Sequence, residues 1–583
     1  MATLSLLLRS FLTVSFYIAV VMHRALAVEV NLGHVRYRGL QNSTSGITSF
    51  YGIKYAKSPV GNLRWRPPVP IDTKRTHLSD DAVDATVRGP TCIQSVPPWS
   101  PGVITGEQNE DCLLLDILTP VTPISAKLPV LVQIHGGGYS SGSVQSSPGN
   151  AIVHQSNGSL IYVAIQYRLG PLGFLAGDKV ASDGSWNVGL LDQRAALNWI
   201  RTNIHHFGGD PSKVTITGGS AGGASVTLQM VLYGGSRNPP FRSAIPGNVT
   251  SYEESVFYIL IRDVEYPWWT PIYSRAWLNR QYNIFMEATN CTILSCLRSI
   301  STNAIQSATV QAYQTAYEAE KFAYGTFYWG PAIDGRIIRD HPIKEFRDGH
   351  FTKVPIMVDR DGYEGLLFSN FSMSTDEDLI SDLSVLWPQA PESLILDAMA
   401  LYSGSEYDAT NLKKQPIILA FEKAGGPFNL SDAYSRRQSI FGDAIVNCPS
   451  NSIMTAVSRA GLRAYKMVFN AGSQVHGATV PYLFSETIEP SGAEVLGGFV
   501  SIAGNGTLAM IMRNYFVSFT RFLDPNALSN NTSQPVTPFW PEYILPRSNV
   551  LSVGFDDINV VSDPDDSAQC NFLETSFASI AGV

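Results

Sequence analysis

Phe207-Gly208-Gly209-Asp210-Pro211-Ser212-Lys213-Val214-Thr215-Ile216-Thr217-Gly218-Gly219-Ser220-Ala221-Gly222 is a β-branched run that breaks off at a serine fenced by glycines. A strand over Val214 to Thr217 has to reverse sharply into a helix from Ala221 while one hydroxyl stays on the apex. Small residues at Gly218 and Gly222 let the two arms pack that tightly. Such a nucleophile elbow points to an acyl-transferring hydrolase.

An acyl-transfer site also needs donors for a tetrahedral oxyanion. The apolar run Leu128 to Ile134 leads into His135-Gly136-Gly137-Gly138-Tyr139, where backbone free of side chains can approach a substrate carbonyl. This matches the HGGG type of oxyanion loop. Gly137 and Gly138 are expected to donate two N–H groups, and Ala221, just after the serine, the third. A plain glycine-rich turn is the alternative.

The partners of Ser220 are sought by chain order, which in α/β hydrolases runs serine, acid, histidine. Of the ten histidines only His341, His350 and His476 follow Ser220. His476 comes soon after the strand-like run Ala464 to Phe469, in a loop flanked by small residues, where a base can turn toward a nucleophile. Among the acids Glu364 stands out, because it follows the apolar run Val354 to Val358 across a short polar turn and precedes Gly365. Asp359, Asp361 and Asp443 are its rivals. If Glu364 is the acid, His341 and His350 drop out, since both precede it.

Other apolar runs, at Leu160 to Ile165 and Val354 to Val358, read as further buried strands. Helical patterns at Val188 to Ile204 and Ala221 to Tyr233 lie between the runs. The alternation predicts an α/β fold, with a large, mostly parallel central sheet flanked by helices. The 583 residues, 44% hydrophobic and 15% charged, suit a packed globule. We read residues 28–583 as a single domain, because no repeat or low-complexity linker divides them.

Residues 1–27 read as a signal peptide: Arg9, an apolar stretch from Phe11 to Met22, then Ala25-Leu26-Ala27 before a cut after Ala27. A membrane anchor is the competing reading, but this stretch is too short to cross a bilayer at about 1.5 Å per residue. Cleavage removes Arg9 and Arg24 from a chain of formal charge −8, leaving an acidic protein with no electrostatic reason to bind nucleic acid. In an oxidising compartment the six cysteines suggest disulfides, and no CxxC or HExxH segment supports a metal site. Sequential pairing, Cys92 with Cys112, Cys291 with Cys296 and Cys448 with Cys570, is the simplest of about fifteen possibilities. Asn42, Asn157, Asn248, Asn290, Asn370, Asn429, Asn505, Asn530 and Asn531 each head a glycosylation triplet. Asn530 and Asn531 overlap and have room for one glycan between them.

These stretches resemble the type-B carboxylesterases and lipases, the family that includes the cholinesterases. Phe207 to Gly222 is similar to its serine signature, and Glu110-Asp111-Cys112-Leu113-Leu114-Leu115-Asp116-Ile117 to its second signature. Further likeness lies in Phe50-Tyr51-Gly52-Ile53-Lys54-Tyr55-Ala56, Leu63-Arg64-Trp65, Tyr167-Arg168-Leu169-Gly170, Asn187-Val188-Gly189-Leu190-Leu191-Asp192-Gln193 and Pro331-Ala332-Ile333-Asp334-Gly335. The resemblance implies an α/β-hydrolase fold, a secreted fungal-type esterase or lipase, and a triad of Ser220, Glu364 and His476 that works without a cofactor. It implies the sequential cysteine pairing as well.

Two departures from the family touch the surroundings of the triad. Gly219 stands where the family usually has glutamate before the nucleophile. Ala244-Ile245 runs into Pro246-Gly247-Asn248 where a Ser-Gly pair is expected. The expected reaction is hydrolysis of a small or medium apolar ester through an acyl-enzyme. Long-chain lipid or sterol esters are the alternative, although a short loop between Cys92 and Cys112, carrying Trp99, favours soluble esters. A non-catalytic adhesion protein on the same fold is the alternative from another class, and the presence of all three triad residue types speaks against it.

Overall fold

The computed structural model of the chain describes residues 26–72, 81–100, 104, 106–247, 274–415, 418–419, 430–486, 494–496, 499–501, 505–528, 536–555, 557–576 and 580. Residues 1–25 of the signal segment, and Asn248, Asn429, Asn530 and Asn531, lie outside these.

The strands in the first half of the chain are β1 Leu26–Asn31, β2 Arg36–Asn42, β3 Ile47–Lys54, β4 Val83–Asp84, β5 Leu114–Pro120, β6 Leu128–Ile134, β7 Ile161–Ile165, β8 Gly209–Gly218 and β9 Ser243–Pro246. The second half adds β10 Ile356–Asp361, β11 Ala464–Phe469, a hairpin of β12 Glu494–Leu496 and β13 Phe499–Ser501, then β14 Asn549–Val553 and β15 Ile558–Ser562. One sheet of 13 strands runs β1-β2-β3-β5-β7-β6-β8-β9-β10-β11-β14-β15, with β4 beside β2. From β7 through β14 every pairing is parallel. Both flanks of that run are antiparallel, apart from the short parallel pair of β4 with β2.

Composition explains the difference between centre and flanks. In β6, Val130, Val132 and Ile134 enter one core with helices Val188–Asn203 and Ala221–Val231, while Leu131 enters a second core with helices Asn150–Gln155 and Gly506–Phe522. A strand buried on both faces needs mostly apolar side chains, as parallel strands between helix layers do. Each such Val, Ile or Leu gains about 1.5–3 kcal/mol from burial, so these strands are the firmest part of the frame. β2 by contrast mixes exposed and buried positions, as suits a flank with one wetted side.

The structure shifts several expected boundaries. The strand before the elbow begins at Gly209 rather than Val214, and the helix after it ends at Val231 rather than Tyr233. β10 starts two residues later than the run Val354 to Val358 and continues through Asp361. What reads as a polar turn is thus strand, paired with β11 from Ile356 opposite Ala464 to Asp361 opposite Phe469. The disulfides join Cys92 to Cys112, Cys291 to Cys296 and Cys448 to Cys570. No helix among the described residues is long and apolar enough to cross a membrane.

Candidate active site

The parallel strands present their carboxyl ends along one edge of the sheet, and the site is assembled there. Ser220 follows β8 at φ +61°, ψ −134°, a conformation a non-glycine residue holds only at a cost of about 1–3 kcal/mol. The close approach around it accounts for the glycines. A Cβ on Gly222 would lie 2.1 Å from the Ile134 carbonyl oxygen, and one on Gly218 would lie 2.5 Å from the Gly222 carbonyl. Ser220 is fully buried, and its Oγ has no hydrogen-bond partner among the described residues.

Glu364 follows β10 and His476 follows β11, the adjacent parallel strand. Beyond the strand ends the loop after β11 takes four more residues than the loop after β10, and the two meet again at a bridge of Tyr363 to Val475, where the Tyr363 N–H donates to the Gln474 carbonyl at 2.7 Å. That bridge brings the next residue of each loop side by side. Glu364 Oε2 is hydrogen-bonded to His476 Nδ1, and Glu364 Oε1 accepts the Asp361 N–H at 2.6 Å. Glu364 is 2% exposed and His476 6%. The edge of the Phe368 ring packs against the imidazole, with centroids 5.3 Å apart. The histidine is therefore held on two sides.

The rivals for the acid role are engaged elsewhere or differently. Asp443 accepts the Tyr402 hydroxyl at 2.7 Å and the Asn447 amide at 2.8 Å. Asp361 receives the Ala478 N–H on Oδ2 at 2.9 Å. Burial, with the charges of Glu364 and Asp359 adding to it, pushes the Asp361 carboxyl well above the usual carboxylate range. Asp359 is buried too, so close to the Gly247 backbone that a Cβ there would fall 1.8 Å from its Oδ1. His341 caps the helix Pro342–Arg347, and the half-exposed His350 sits beside Arg339 and Glu345.

Gly137 and Gly138 have φ values of +100° and +58°. A side chain on Gly138 would strike the Phe327 ring at 2.2 Å, and one on Gly137 the Ser141 carbonyl at 2.2 Å. His135 stacks on Tyr167 at 4.4 Å, and its Nδ1 is 2.8 Å from the Gly136 carbonyl. Burial lowers the His135 pKa to about 4, so it is neutral at pH 7 and adds no charge beside the loop. Its own carbonyl accepts the Tyr167 hydroxyl at 2.8 Å. The loop is thereby fixed from β7's side as well as from β6.

Above these groups lies a wall of aromatic rings. Trp99, from the loop between Cys92 and Cys112, packs on Tyr324 and Phe327 at 5.4 Å each and on Phe368 at 6.1 Å. Its Nε1 donates to the Thr326 carbonyl at 2.7 Å. Tyr324, Phe327 and Phe368 carried no signal in the sequence, because aromatic residues at such spacing read as ordinary core. Phe368, only four positions after Glu364, is the one that proximity could have suggested.

Comparison with known proteins agrees with this geometry. A model of the carboxylesterase family matches residues 24–573. Lipase 2 of Geotrichum candidum is 28% identical over 93% of this chain and 96% of its own length. Secreted lipase 1 of Botryotinia fuckeliana is 29% identical over 89% of this chain and 88% of its own. Among solved structures, Aspergillus niger EstA superposes with a TM-score of 0.75 at 26% identity, covering 95% of this chain and 99% of that one. The α/β-hydrolase sheet, the elbow at its edge and a family match along almost the whole length lead to one conclusion: the chain belongs to the carboxylesterase family and is a carboxylic ester hydrolase.

Proposed function

We propose that Ser220 is the nucleophile, His476 the general base and Glu364 the acid that orients it, with Gly137, Gly138 and Ala221 as oxyanion donors. The observation that carries this reading is the buried, hydrogen-bonded pair of Glu364 and His476 on the strand edge that also bears the strained serine. His476 takes the proton of the Ser220 hydroxyl as Oγ attacks the ester carbonyl. Glu364 stabilises the imidazolium and keeps the ring turned, and the three N–H groups bind the charge that forms on oxygen. The imidazolium then protonates the leaving alcohol, and water, deprotonated by the same ring, releases the acid. No metal or organic cofactor enters these steps.

We take the substrate to be a small or medium apolar ester. Phe327 lies against oxyanion glycine Gly138, and Trp99 is latched over the same wall; aromatic rings packed this close to the glycine loop suit a compact apolar acyl group. The Geotrichum candidum and Botryotinia fuckeliana relatives are named lipases, which favours a second reading, hydrolysis of lipid esters; esters of long-chain lipids or sterols belong to that reading. Initial rates on p-nitrophenyl esters of graded acyl length, with Ser220→Ala as control, test both. A maximum at short chains supports the first reading, and a maximum at long chains with activation at an interface supports the second. Turnover by Ser220→Ala at the parent rate overturns the triad.

We also propose that residues 28–583 act as one secreted domain. A cut after Ala27 trims from β1 only Leu26 and Ala27, which pair with Gln41 and Leu40 at the sheet edge. Asn42, Asn157 and Asn290 are exposed, the last two at φ +49° and +55°, and suit glycans. Asn370 is half-buried and its side chain accepts the Ser372 N–H. Asn505 suits one less, since it caps helix Gly506–Phe522 and its amide donates to the Phe555 carbonyl at 3.2 Å. N-terminal sequencing and glycopeptide mass spectrometry of protein from the medium check this; an N-terminus other than Val28, or a glycan on Asn505, contradicts it.

A further inference from the structure

Asp361 ends β10, three residues before Glu364 and on the face of the strand opposite Arg360. Two different parts of this residue reach two different parts of the site. Its main-chain N–H donates to Glu364 Oε1 at 2.6 Å. Its side-chain Oδ2 accepts the N–H of Ala478 at 2.9 Å, and the Gly477 N–H points to the same carboxyl.

We propose that Asp361 is the positioning residue of this site, bracing the acid through its main chain and the loop of the base through its side chain. The proposal rests on the triad reading above. Glu364 offers His476 one oxygen and Asp361 the other, so the carboxylate cannot rotate without breaking the bond to Asp361. The loop bearing His476 cannot slide along the strand edge without stretching the bonds from Gly477 and Ala478, the two residues that follow the base. Acid and base are thus referred to a single point on a rigid parallel strand. A site held in this way keeps its reacting groups aligned, and a displacement of about 1 Å costs on the order of 100-fold in rate.

What the brace needs is an acceptor, and it does not need a charge. Asp361 is wholly buried, and burial together with the neighbouring carboxylates keeps it protonated into the range where other carboxyls have ionised. The carbonyl oxygen of a protonated acid accepts an N–H as an amide oxygen does. Asparagine therefore reproduces the brace, and alanine removes it.

The experiment compares Asp361→Ala and Asp361→Asn with the parent and with Ser220→Ala on a soluble p-nitrophenyl ester, measuring kcat and KM separately. Labelling with a serine-directed phosphonate counts active molecules. We expect Asp361→Ala to lower kcat about 100-fold at little-changed KM per titrated serine, and Asp361→Asn to recover to within about five-fold of the parent. The proposal is overturned if alanine costs less than about three-fold, if KM rises in step with the loss, if asparagine is no better than alanine, or if the loss equals the loss of titratable serine. Activity retained in Ser220→Ala sinks the triad itself, whereas activity retained only in Asp361→Ala sinks the brace alone.

Discussion

On one face of β10, Arg360 donates to Asp565 at 2.8 and 2.5 Å, and Lys466 from β11 donates to both oxygens of Asp563 at 2.8 Å and to Asp565 at 2.6 Å. On the other face stand Asp359 and Asp361, with Glu364 just beyond, and Asp361 has no ion pair among the described residues. Both clusters are buried, but they are built by opposite rules. In the first, burial would raise the Asp565 carboxyl, yet the Arg360 and Lys466 charges outweigh it and hold the group below its ordinary range. In the second, burial and like charges act together and push Asp361 up. The balanced cluster ties the sheet to the segment after β15. The like-charged cluster is relieved when Asp361 keeps its proton.

The largest effect is expected from Lys466→Met, which leaves two buried aspartates facing Arg360 alone. Loss of one partner of a buried pair costs about 3–5 kcal/mol, to be read from urea denaturation, and a loss below about 1 kcal/mol would erase the contrast.

A smaller, pH-dependent effect is expected from Asp361→Asn. The folded pKa of Asp361 is raised above the unfolded value of about 3.9, so its contribution to stability falls as pH climbs from there toward the folded value. The groups that set this are Glu364, Asp359 and the N–H groups of Gly477 and Ala478. Asparagine lacks the slope, so its melting temperature should gain on the parent's as pH rises above about 4. A constant difference across that range refutes the assignment.

The smallest effect is expected from Lys54→Met. Its pair with Asp111 at 2.6 Å has side chains 47% and 36% exposed, and solvent screens such pairs to about 0.2–1 kcal/mol. If its denaturation midpoint moves as far as that of Lys466→Met, burial is not what separates the clusters.

The same strand shows where the sequence could be read and where it could not. β6 and β11 fall on the expected residues because their side chains are mostly apolar, Gln133 and Lys466 apart. β10 does not, since Asp359, Arg360 and Asp361 have the composition of a turn, and only their partners, 205 residues away in the case of Asp565, make them strand. The serine, its glycines and the HGGG loop were legible because their chemistry is local. Glu364 needed the family resemblance to rank it above Asp359 and Asp361, since the bridge of Tyr363 to Val475 leaves no mark on spacing. The antiparallel flank was missed for a related reason: β1 and β2 are half-wetted and lack the run that marked the centre.

Asp563 and Asp565 come late in the chain, after both strands whose cations they neutralise. A polypeptide made from its amino end must therefore hold Arg360 and Lys466 unmatched until the segment after β15 arrives. The strands that lead to Glu364 and His476 should then lock late, and activity should appear only once that segment has been made. A chain stopped before Asp563 should remain inactive and protease-sensitive in pulse-chase digestion, even with Ser220, Glu364 and His476 all present.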